Sequence, residues 1–205
     1  MKKRKVLAVL LCAAMTAALA VGCGGSKGSD SNDKSSDSSS SSDDVITVGF
    51  SQVGAESDWR TANSQSMKDT FSKENGYDLI FDDAQQKQEN QLTAIRNFIQ
   101  QEVDYILLAP VTETGWDTVL QEAKDADIPV IIVDRMVDVS DDSLYTTWIG
   151  TDALCEGRKA AEWLNAYTTA KGIDAKDVNI VDIQGTIGST AQIGRSKGLE
   201  EGVDN

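Results

Sequence analysis

The sequence predicts an α/β fold, in which a parallel sheet carries helices on both faces. Two observations from Val45 onward support this prediction. Short runs rich in β-branched residues alternate with longer segments in which apolar residues recur every three to four positions. The centres of successive runs are separated by about the length of one βα unit, which is the crossover that parallel strands require. Runs such as PVIIV at 129–133 also suit strands that are buried on both faces.

Six strands are predicted in order along the chain. They cover 45–50, 77–81, 103–109, 128–133, 145–150 and 179–185. Amphipathic helices are predicted between the first four strands, because apolar residues there have helical spacing. The residues of these apolar stripes are Met67 with Phe71, then Leu92, Ile95 and Ile99, then Trp116, Val119, Leu120 and Ala123. Strand and helix therefore alternate as they do around a parallel sheet.

A further long helix is predicted after the fifth strand, with Asp152 as its N-cap. Its segment ALCEGRKAAEWLNAY offers apolar residues for packing, and SKGLEEGVDN is predicted to lie in or just after a last helix. Cys155 is expected to be a small buried apolar residue, since the chain has no histidine to activate a thiol. Periodicity also predicts that three tryptophans belong to the core, namely Trp116, Trp148 and Trp163.

The first 44 residues predict export. Residues 1–22 begin with a cluster of cations and continue as a short apolar run rich in alanine, which predicts a cleaved signal peptide; an N-terminal membrane anchor is the alternative. The small residues before Cys23 resemble the lipobox of bacterial lipoproteins, which implies a lipidated Cys23. Residues 23–44 are rich in Ser and Asp and predict a flexible linker. We therefore expect a lipid-anchored protein on the outer face of a Gram-positive type of cell membrane.

Charge and composition exclude several classes of partner and chemistry. The formal net charge is −14, and such a chain repels nucleic acid, so we expect no nucleic-acid partner. The chain contains no histidine, which is the commonest general base and metal ligand. It has neither a GxGxxG nor a GxxxxGK[ST] motif, and GTIGS at 185–189 lacks the lysine of a phosphate loop. We therefore predict no enzyme activity, no metal and no cofactor.

Polar side chains at the ends of the predicted strands form the candidate site, because ligands of parallel α/β sheets bind beyond the carboxyl ends of the strands. Asp134 and Arg135 follow the fourth strand. A carboxylate only accepts hydrogen bonds and a guanidinium only donates them, so the two residues suit a sugar hydroxyl, which does both. An ion pair that caps the sheet edge is an equally good interpretation of these two residues taken alone.

The loop after the first strand, SQVGAESDWR, supplies four more candidates. Trp59 and Arg60 combine a flat apolar face with several donors, which suits the CH face and the hydroxyl edge of a sugar ring. The alternative is that both simply pack on the sheet from the first turn of a helix. Ser51 opens the loop and is a further candidate. Glu56 is a weaker one, because an acid near a helix start also interacts favourably with the helix dipole.

Several segments together resemble the sugar-binding proteins of ABC importers of the ribose-binding type, and most closely the galactofuranose-binding branch. These segments are VGFSQVGAESDWR, DDAQQKQENQ, APVTETGW, PVIIVDR, TDALCEGRKAAEWL and QGTIGSTAQIGRSKG, and the resemblance runs from Val45 to the end of the chain. It implies a periplasmic-binding-protein-like fold of two lobes that close on a monosaccharide by hinge bending. It also implies delivery of the sugar to an ABC transporter permease, by a protein that we expect to be a monomer.

The resemblance also implies roles for particular residues. Together with Glu56, the residues expected to contact sugar are Ser51, Trp59, Arg60, Asp134, Arg135 and Arg195. The hinge crossing is expected at Thr151 and Asp152, between an N-terminal lobe at 45–151 and the start of a C-terminal lobe at 152–205. Because the second lobe of such proteins is comparable to the first, we expect this second lobe to be incomplete and the chain to be C-terminally truncated.

Three rival functions share parts of this pattern. A sugar sensor that presents its ligand to a membrane receptor or kinase would use the same site residues. The effector domain of a sugar-responsive repressor shares the fold, but here the signal and linker stand where a DNA-binding module would be needed. An extracellular carbohydrate enzyme would need a base and a nucleophile in a recognisable arrangement. The sequence therefore favours extracytoplasmic capture of a monosaccharide, galactofuranose or a related sugar, without chemistry.

Overall fold

Residues 45–203 are described by the structure, which is a computed structural model. The predictions for residues 1–22, for lipidation at Cys23 and for the linker at 23–44 lie outside this range. No helix between residues 45 and 203 is long and apolar enough to cross a bilayer.

Five parallel strands form one sheet. They are β1 (Ile46–Gln52), β2 (Tyr77–Asp83), β3 (Tyr105–Leu108), β4 (Val130–Asp134) and β5 (Thr147–Gly150). Their order across the sheet is β2-β1-β3-β4-β5. The first five predicted strands are thus confirmed, and so is the parallel α/β fold. In the sheet, β2 lies on one side of β1 and β3 lies on the other side. The direction in which successive strands are added therefore reverses between β1 and β3. A ligand crevice is expected beyond the carboxyl ends of these two strands.

Within residues 45–203, five α-helices accompany the strands. They are α1 (Asp58–Thr70), α2 (Gln88–Gln100), α3 (Asp117–Asp125), α4 (Ala153–Lys171) and α5 (Thr190–Gly202). The side chain of Ser57 accepts a hydrogen bond from the Arg60 amide and caps α1. The side chain of Asp152 accepts one from the Cys155 amide at 2.9 Å and caps α4, as predicted. Each cap fixes where its helix begins, and the cap at Ser57 thereby sets Arg60 in the first turn of α1.

Two apolar clusters cover opposite faces of the sheet. On one face, Ile95 and Phe98 of α2 and Leu120 of α3 pack on Ile106 and Ile132. Phe98 lies so close to β1 that a Cβ at Gly49 would come within 2.5–2.9 Å of its ring, which explains the glycine at that position. The cluster on the other face is formed by Val48, Phe50, Val53, Leu107, Ala109, Val111 and Val133, with Met67 of α1 and its C-cap residue Phe71 packed against it. The predicted apolar stripes of α1, α2 and α3 are therefore confirmed.

The sixth predicted strand, at 179–185, is wrong. These residues form neither strand nor helix, and Val181 and Ile183 are 84% and 91% exposed. The apolar pattern of NIVDIQG suits a strand, but a strand exists only when its backbone groups pair with a neighbour. Each described strand pairs within the sheet of β1 to β5, which does not include 179–185. Local preference without a partner strand is too weak to impose the structure.

Only one of the three tryptophans predicted for the core is fully buried. Trp116 is 0% exposed and its indole N–H donates to the Thr112 carbonyl at 2.8 Å. Trp148 is partly buried at the edge of the first core cluster. The prediction is wrong for Trp163, which is 65% exposed and stacks on Tyr167 one helical turn later. Cys155 is also only partly buried.

Helices α4 and α5 pack closely through small residues. A Cβ at Gly157 would collide with the Arg195 carbonyl and lie 2.9 Å from the Gly198 Cα, while a Cβ at Gly202 would lie 2.7 Å from the Ala161 Cβ. The absence of side chains at these crossing points lets the two backbones approach. This contact holds α5, and with it Arg195, against α4.

Candidate functional site

Arg60 lies at the centre of a group of charges beyond the carboxyl ends of β1 and β4. It is only 3% exposed, and a guanidinium buried to this degree needs acidic partners. Its Nη2 donates to Asp134 Oδ2 at 2.6 Å and its Nε donates to Glu56 Oε1 at 3.2 Å. Arg135 joins the group, since its Nη2 lies 3.6 Å from Glu56 Oε1. We call Glu56, Arg60, Asp134 and Arg135 the charge cluster; its two acids and two bases balance.

Arg135 reaches from the charge cluster toward the chain after α4. Its Nη1 donates to the Val111 carbonyl at 3.2 Å and its Nη2 to Thr186 Oγ1 at 3.5 Å. Its side chain is 11% exposed. Burial lowers the pKa of Arg135 from its ordinary value and the charge of Arg60 adds to this, while Glu56 and Asp134 oppose the shift. The guanidinium nevertheless stays protonated, as that of arginine does in proteins.

The two interpretations of Asp134 and Arg135 both describe part of this arrangement. Asp134 pairs with Arg60 in the first turn of α1 and Arg135 pairs with Glu56 in the loop before it, so ion pairs do hold the edge of the sheet. Arg135 also lines a cleft, as a ligand-binding residue would. The charge cluster therefore joins the loop after β1 to the end of β4 and keeps part of its surface accessible.

Asp134 ends β4 with an unusual backbone conformation. Its φ is +65°, in the left-handed region that residues other than glycine seldom adopt, although Asp tolerates it better than most. Its carbonyl accepts a hydrogen bond from the Trp148 indole at 3.1 Å, and a Cβ at Gly150 would collide with that carbonyl. Backbone strain of this kind persists where the surrounding structure holds it, often at ligand sites. Here it turns the Asp134 carboxylate toward Arg60.

Trp59 stands on the exposed side of the cluster. It is 55% exposed, and the Arg60 guanidinium carbon lies 4.8 Å from the centre of its ring. This cation–π contact restrains an aromatic face that the core does not use. An exposed and restrained indole is the kind of surface on which the CH groups of a sugar ring pack. The alternative interpretation, in which Trp59 packs on the sheet, is wrong, because more than half of this side chain is exposed.

Ser51 is fully buried rather than on the surface of the site. Its register partner on β2 is Asp82, so their side chains project from the same face of the sheet. Ser51 Oγ and Asp82 Oδ1 are the two buried side-chain oxygens in residues 45–203 that have no hydrogen-bond partner there. Burial raises the pKa of Asp82 from its ordinary value, and the neighbouring charge of Asp83 adds to this.

Two buried glutamines belong to the site and were not predicted. Gln52 is fully buried and accepts a hydrogen bond from Arg60 Nη1 at 3.2 Å. Gln91 is also fully buried; its side chain donates to the Ala109 carbonyl at 2.7 Å and accepts from the Val111 amide at 2.9 Å. Gln91 therefore fixes the chain after β3, whose Val111 carbonyl holds Arg135. A signal for it existed, since Gln91 shares the buried face of α2 with Ile95 and Phe98.

A small cleft lies between Arg135 and the chain that leads into α5. Its volume is about 140 Å³, and it is lined by Arg135, Arg195, residues 182–186, and Ser189 and Gln192 among others. Arg195 therefore lines the same cleft as Arg135, and its predicted contact with the sugar stays a prediction. Its Nε donates to Glu156 Oε2 on α4 at 2.7 Å. Pockets that enclose a whole small molecule measure about 300–1,000 Å³, so this cleft is too small to enclose one.

The chain before the predicted hinge and the chain after it meet at this cleft. The Glu113 amide donates to the Gly188 carbonyl at 2.9 Å, and Thr190 Oγ1 donates to the Met136 carbonyl at 2.6 Å. Thr151 and Asp152, the predicted hinge, are exposed and connect β5 to α4. Residues 186–190 carry both of the contacts described above.

The chemistry available in the charge cluster is hydrogen bonding. It offers carboxylate acceptors and guanidinium donors beside an aromatic face, which is the equipment for binding hydroxyl groups. In the part of the chain that the structure describes, no three acidic or cysteine side chains are grouped so that they could hold a metal ion.

A comparison with protein families decides to which family the chain belongs. The family described as periplasmic binding protein domain matches residues 48–205. The chain belongs to the periplasmic binding protein family. Among periplasmic binding proteins, the galactofuranose-binding protein YtfQ of Escherichia coli (strain K12) is 48% identical over 160 residues, which cover 78% of this chain and 48% of YtfQ.

Two solved structures resemble the chain in sequence and in fold. One, from Mycobacterium smegmatis in complex with β-D-fucofuranose, has a TM-score of 0.71 and 50% identity, and covers 77% of this chain and 50% of that one. The other is the periplasmic binding protein of the arabinose ABC transporter from Shewanella sp. ANA-3, bound to α- and β-L-arabinofuranose. It has a TM-score of 0.68 and 52% identity, over 76% of this chain and 49% of that one. The chain spans about half the length of these relatives.

Proposed function

We propose that the protein is an extracytoplasmic solute-binding protein that captures a monosaccharide in its furanose form and delivers it to the permease of an ABC transporter. The observation that carries the proposal is the charge cluster beyond β1 and β4, flanked by the exposed ring of Trp59 and open to the cleft at Arg135. The similar proteins that are described as bound to furanoses support the choice of ring form. Binding is proposed without any chemical step.

A neutral polyol suits the charge balance of the site. Because Glu56 and Asp134 offset Arg60 and Arg135, a charged ligand would leave one buried charge without a partner. Hydroxyl groups donate to the carboxylates and accept from the guanidinium groups, so both kinds of side chain are satisfied. We propose sugar contacts by Glu56, Trp59, Arg60, Asp134 and Arg135.

One further side chain completes the proposed contacts. Arg195 would approach the sugar from the side of α5, where it already lines the cleft. Ser51 is not among the proposed contacts, because its side chain is fully buried. We further propose that Thr151 and Asp152 act as the hinge, and that the bound sugar adds to the contacts at Gly188 and Thr190 that hold the cleft closed.

The proposed location follows from the family and from the start of the sequence. Periplasmic binding proteins act outside the cytoplasm, and residues 1–22 have the pattern of a signal peptide. We propose that the protein is a monomer held on the outer face of the cell membrane by lipid on Cys23. Transport is favoured over a sensor role because similar proteins are binding components of importers.

Calorimetric titration of the full-length protein with D-galactose, D-fucose, L-arabinose, D-fructose and D-ribose tests this proposal, since each sugar populates furanose forms in solution. We expect saturable binding of at least one. Arg135→Ala should then weaken binding by on the order of 100-fold, because hydrogen bonds to charged groups are worth about 1.5–3 kcal/mol each. Arg96→Ala, which removes an exposed arginine paired with Glu122, is the control and should bind normally. Unchanged affinity of Arg135→Ala would overturn the proposed site.

A further inference from the structure

Gln52 is the last residue of β1 and is 0% exposed. Its side-chain amide uses its full hydrogen-bonding capacity. Nε2 donates to Asn63 Oδ1 at 2.8 Å and to Ser64 Oγ at 3.1 Å, both on α1. Oε1 accepts from the Val53 amide at 3.0 Å and from Arg60 Nη1 at 3.2 Å. An amide with two donors and two acceptor positions satisfied in this way has one orientation.

Arg60 is held by acceptors from three parts of the chain. Gln52 on β1 takes an Nη1 hydrogen, Glu56 in the following loop takes the Nε hydrogen, and Asp134 after β4 takes an Nη2 hydrogen. A guanidinium has five N–H groups in one plane, so three acceptors in that plane fix its orientation. The other two N–H groups of Arg60, one on Nη1 and one on Nη2, have no acceptor among residues 45–203.

Gln52 differs from the other two acceptors in both exposure and charge. Glu56 and Asp134 are partly exposed, with side chains 19% and 23% exposed, and the proposed sugar would compete for their oxygens. The buried amide of Gln52 is out of reach of a ligand and stays bound to Arg60 when the sugar arrives. Because it is neutral, it also holds Arg60 without upsetting the balance of charges in the cluster.

We infer that Gln52 is a positioning residue for sugar binding, which fixes the plane of the Arg60 guanidinium and, through it, the carboxylate of Asp134. The inference rests on the proposed function. Gln52 does not touch the sugar, and its effect on affinity passes entirely through Arg60. Loss of its acceptor lets the guanidinium rotate about Nε, and the 2.6 Å bond to Asp134 then pulls that carboxylate out of position.

The substitution Gln52→Asn separates this role from a general contribution to folding. It keeps the amide but shortens the side chain by one methylene, so its oxygen no longer reaches Arg60. Gln65→Asn makes the same change on the exposed side of α1 and is the matched control.

The measurements are calorimetric affinity for the sugar that binds the unmodified protein, and the melting temperature of each variant. We expect Gln52→Asn to weaken binding at least tenfold, and Gln65→Asn to stay within about threefold of the unmodified protein. In an Arg60→Lys background, Gln52→Asn should cause no further loss, since the group it positions is gone. A purely structural role would lower melting temperatures without this pattern of affinities.

The outcomes separate the two proposals. If the unmodified protein binds none of the sugars, the proposed function fails and the role of Gln52 fails with it. If it binds and Gln52→Asn retains full affinity, only the role of Gln52 is overturned. A loss for Gln52→Asn that simply adds to that of Arg60→Lys would also overturn it.

Discussion

Asp134 shows at the scale of one residue how backbone and charge depend on each other. Its left-handed φ of +65° directs the carboxylate to Arg60, and the 2.6 Å hydrogen bond between them compensates a guanidinium that is 3% exposed. Without this carboxylate, the buried guanidinium of Arg60 would lose its shortest hydrogen bond. The strain at Asp134 therefore persists because the ion pair stabilises it.

Asp134→Asn tests this coupling. Asn tolerates a left-handed backbone as well as Asp does, so the turn should survive. The cost comes from Arg60, whose charge is no longer neutralised, and we expect a loss of about 1–3 kcal/mol in the free energy of unfolding, together with weaker sugar binding. Urea denaturation measures the first effect. Asp69→Asn, an exposed change of the same kind, should alter stability by less than about 0.5 kcal/mol; a loss as small for Asp134→Asn would contradict the coupling.

The sequence could predict which charged residues gather at the sheet edge, but not how they pair. Asp134 and Arg135 were recognisable because they follow a buried strand, and strand ends of a parallel sheet converge. Their partners, Arg60 and Glu56, depend on the path of the loop after β1 and on the φ of Asp134, which no local pattern encodes. Gln52 was not predicted as a site residue, because a neutral polar residue at the end of an apolar strand resembles the start of a loop.

At the scale of secondary structure, the predictions succeeded where a pattern has a partner to pack against. The stripes of α2 and α3 face the sheet, and their residues are buried as predicted. Helix α4 instead packs on α5 through Gly157 and Ala161. Trp163 lies two positions beyond Ala161, about 200° around the helix, and so points away from that contact. Apolar spacing predicts a face, and the neighbouring element decides whether that face is buried.

The α4–α5 contact makes a prediction at this scale. A Cβ at Gly198 would collide with the Leu154 carbonyl and lie 2.8 Å from the Arg158 nitrogen and 3.0 Å from the Gly157 Cα, all backbone atoms that cannot turn aside. Gly198→Ala gains about 1 kcal/mol in helix propensity, but overpacking costs about 1–3 kcal/mol. We expect a net loss, seen as faster hydrogen exchange of α5 amides with little change in β1 and β3.

Gly185→Ala is the matched control for this substitution. A Cβ at Gly185 meets no atom within 4 Å, and its backbone is not in the left-handed region. Its exchange rates in α5 should therefore equal those of the unmodified protein. Equal rates for Gly198→Ala as well would mean that the two helices do not pack through these glycines.

At the scale of the whole molecule, the chain before the predicted hinge is joined to the chain after it by few but specific contacts. The 186–190 loop touches Arg135, Glu113 and Met136 through Thr186, Gly188 and Thr190. Arg135 and Thr186 also line the cleft, so the cleft and this junction share one of their contacts. Glu113 stands inside the junction as a titratable group.

The junction should therefore respond to pH. Burial raises the pKa of Glu113 from its ordinary value and the charge of Asp138 adds to this, while a hydrogen bond with Thr190 opposes it. The folded protein thus holds this proton to a higher pH than the unfolded chain does. The stability that the proton contributes is fully present below the unfolded pKa of about 4.3 and is lost as the pH rises through the folded pKa. At pH 7 the ionised carboxylate, close to Asp138, is a destabilising feature.

Glu113→Gln removes that ionisation at every pH. We expect its melting temperature to exceed that of the unmodified protein at pH 7, and the difference to shrink toward zero near pH 4, where Glu113 itself is protonated. Thermal melts across pH 4–8 measure this. Glu89→Gln, which removes an exposed charge on α2, should show a small difference without this trend. If Glu113→Gln changes the melting temperature by the same amount at pH 4 and at pH 7, Glu113 does not couple the junction to pH.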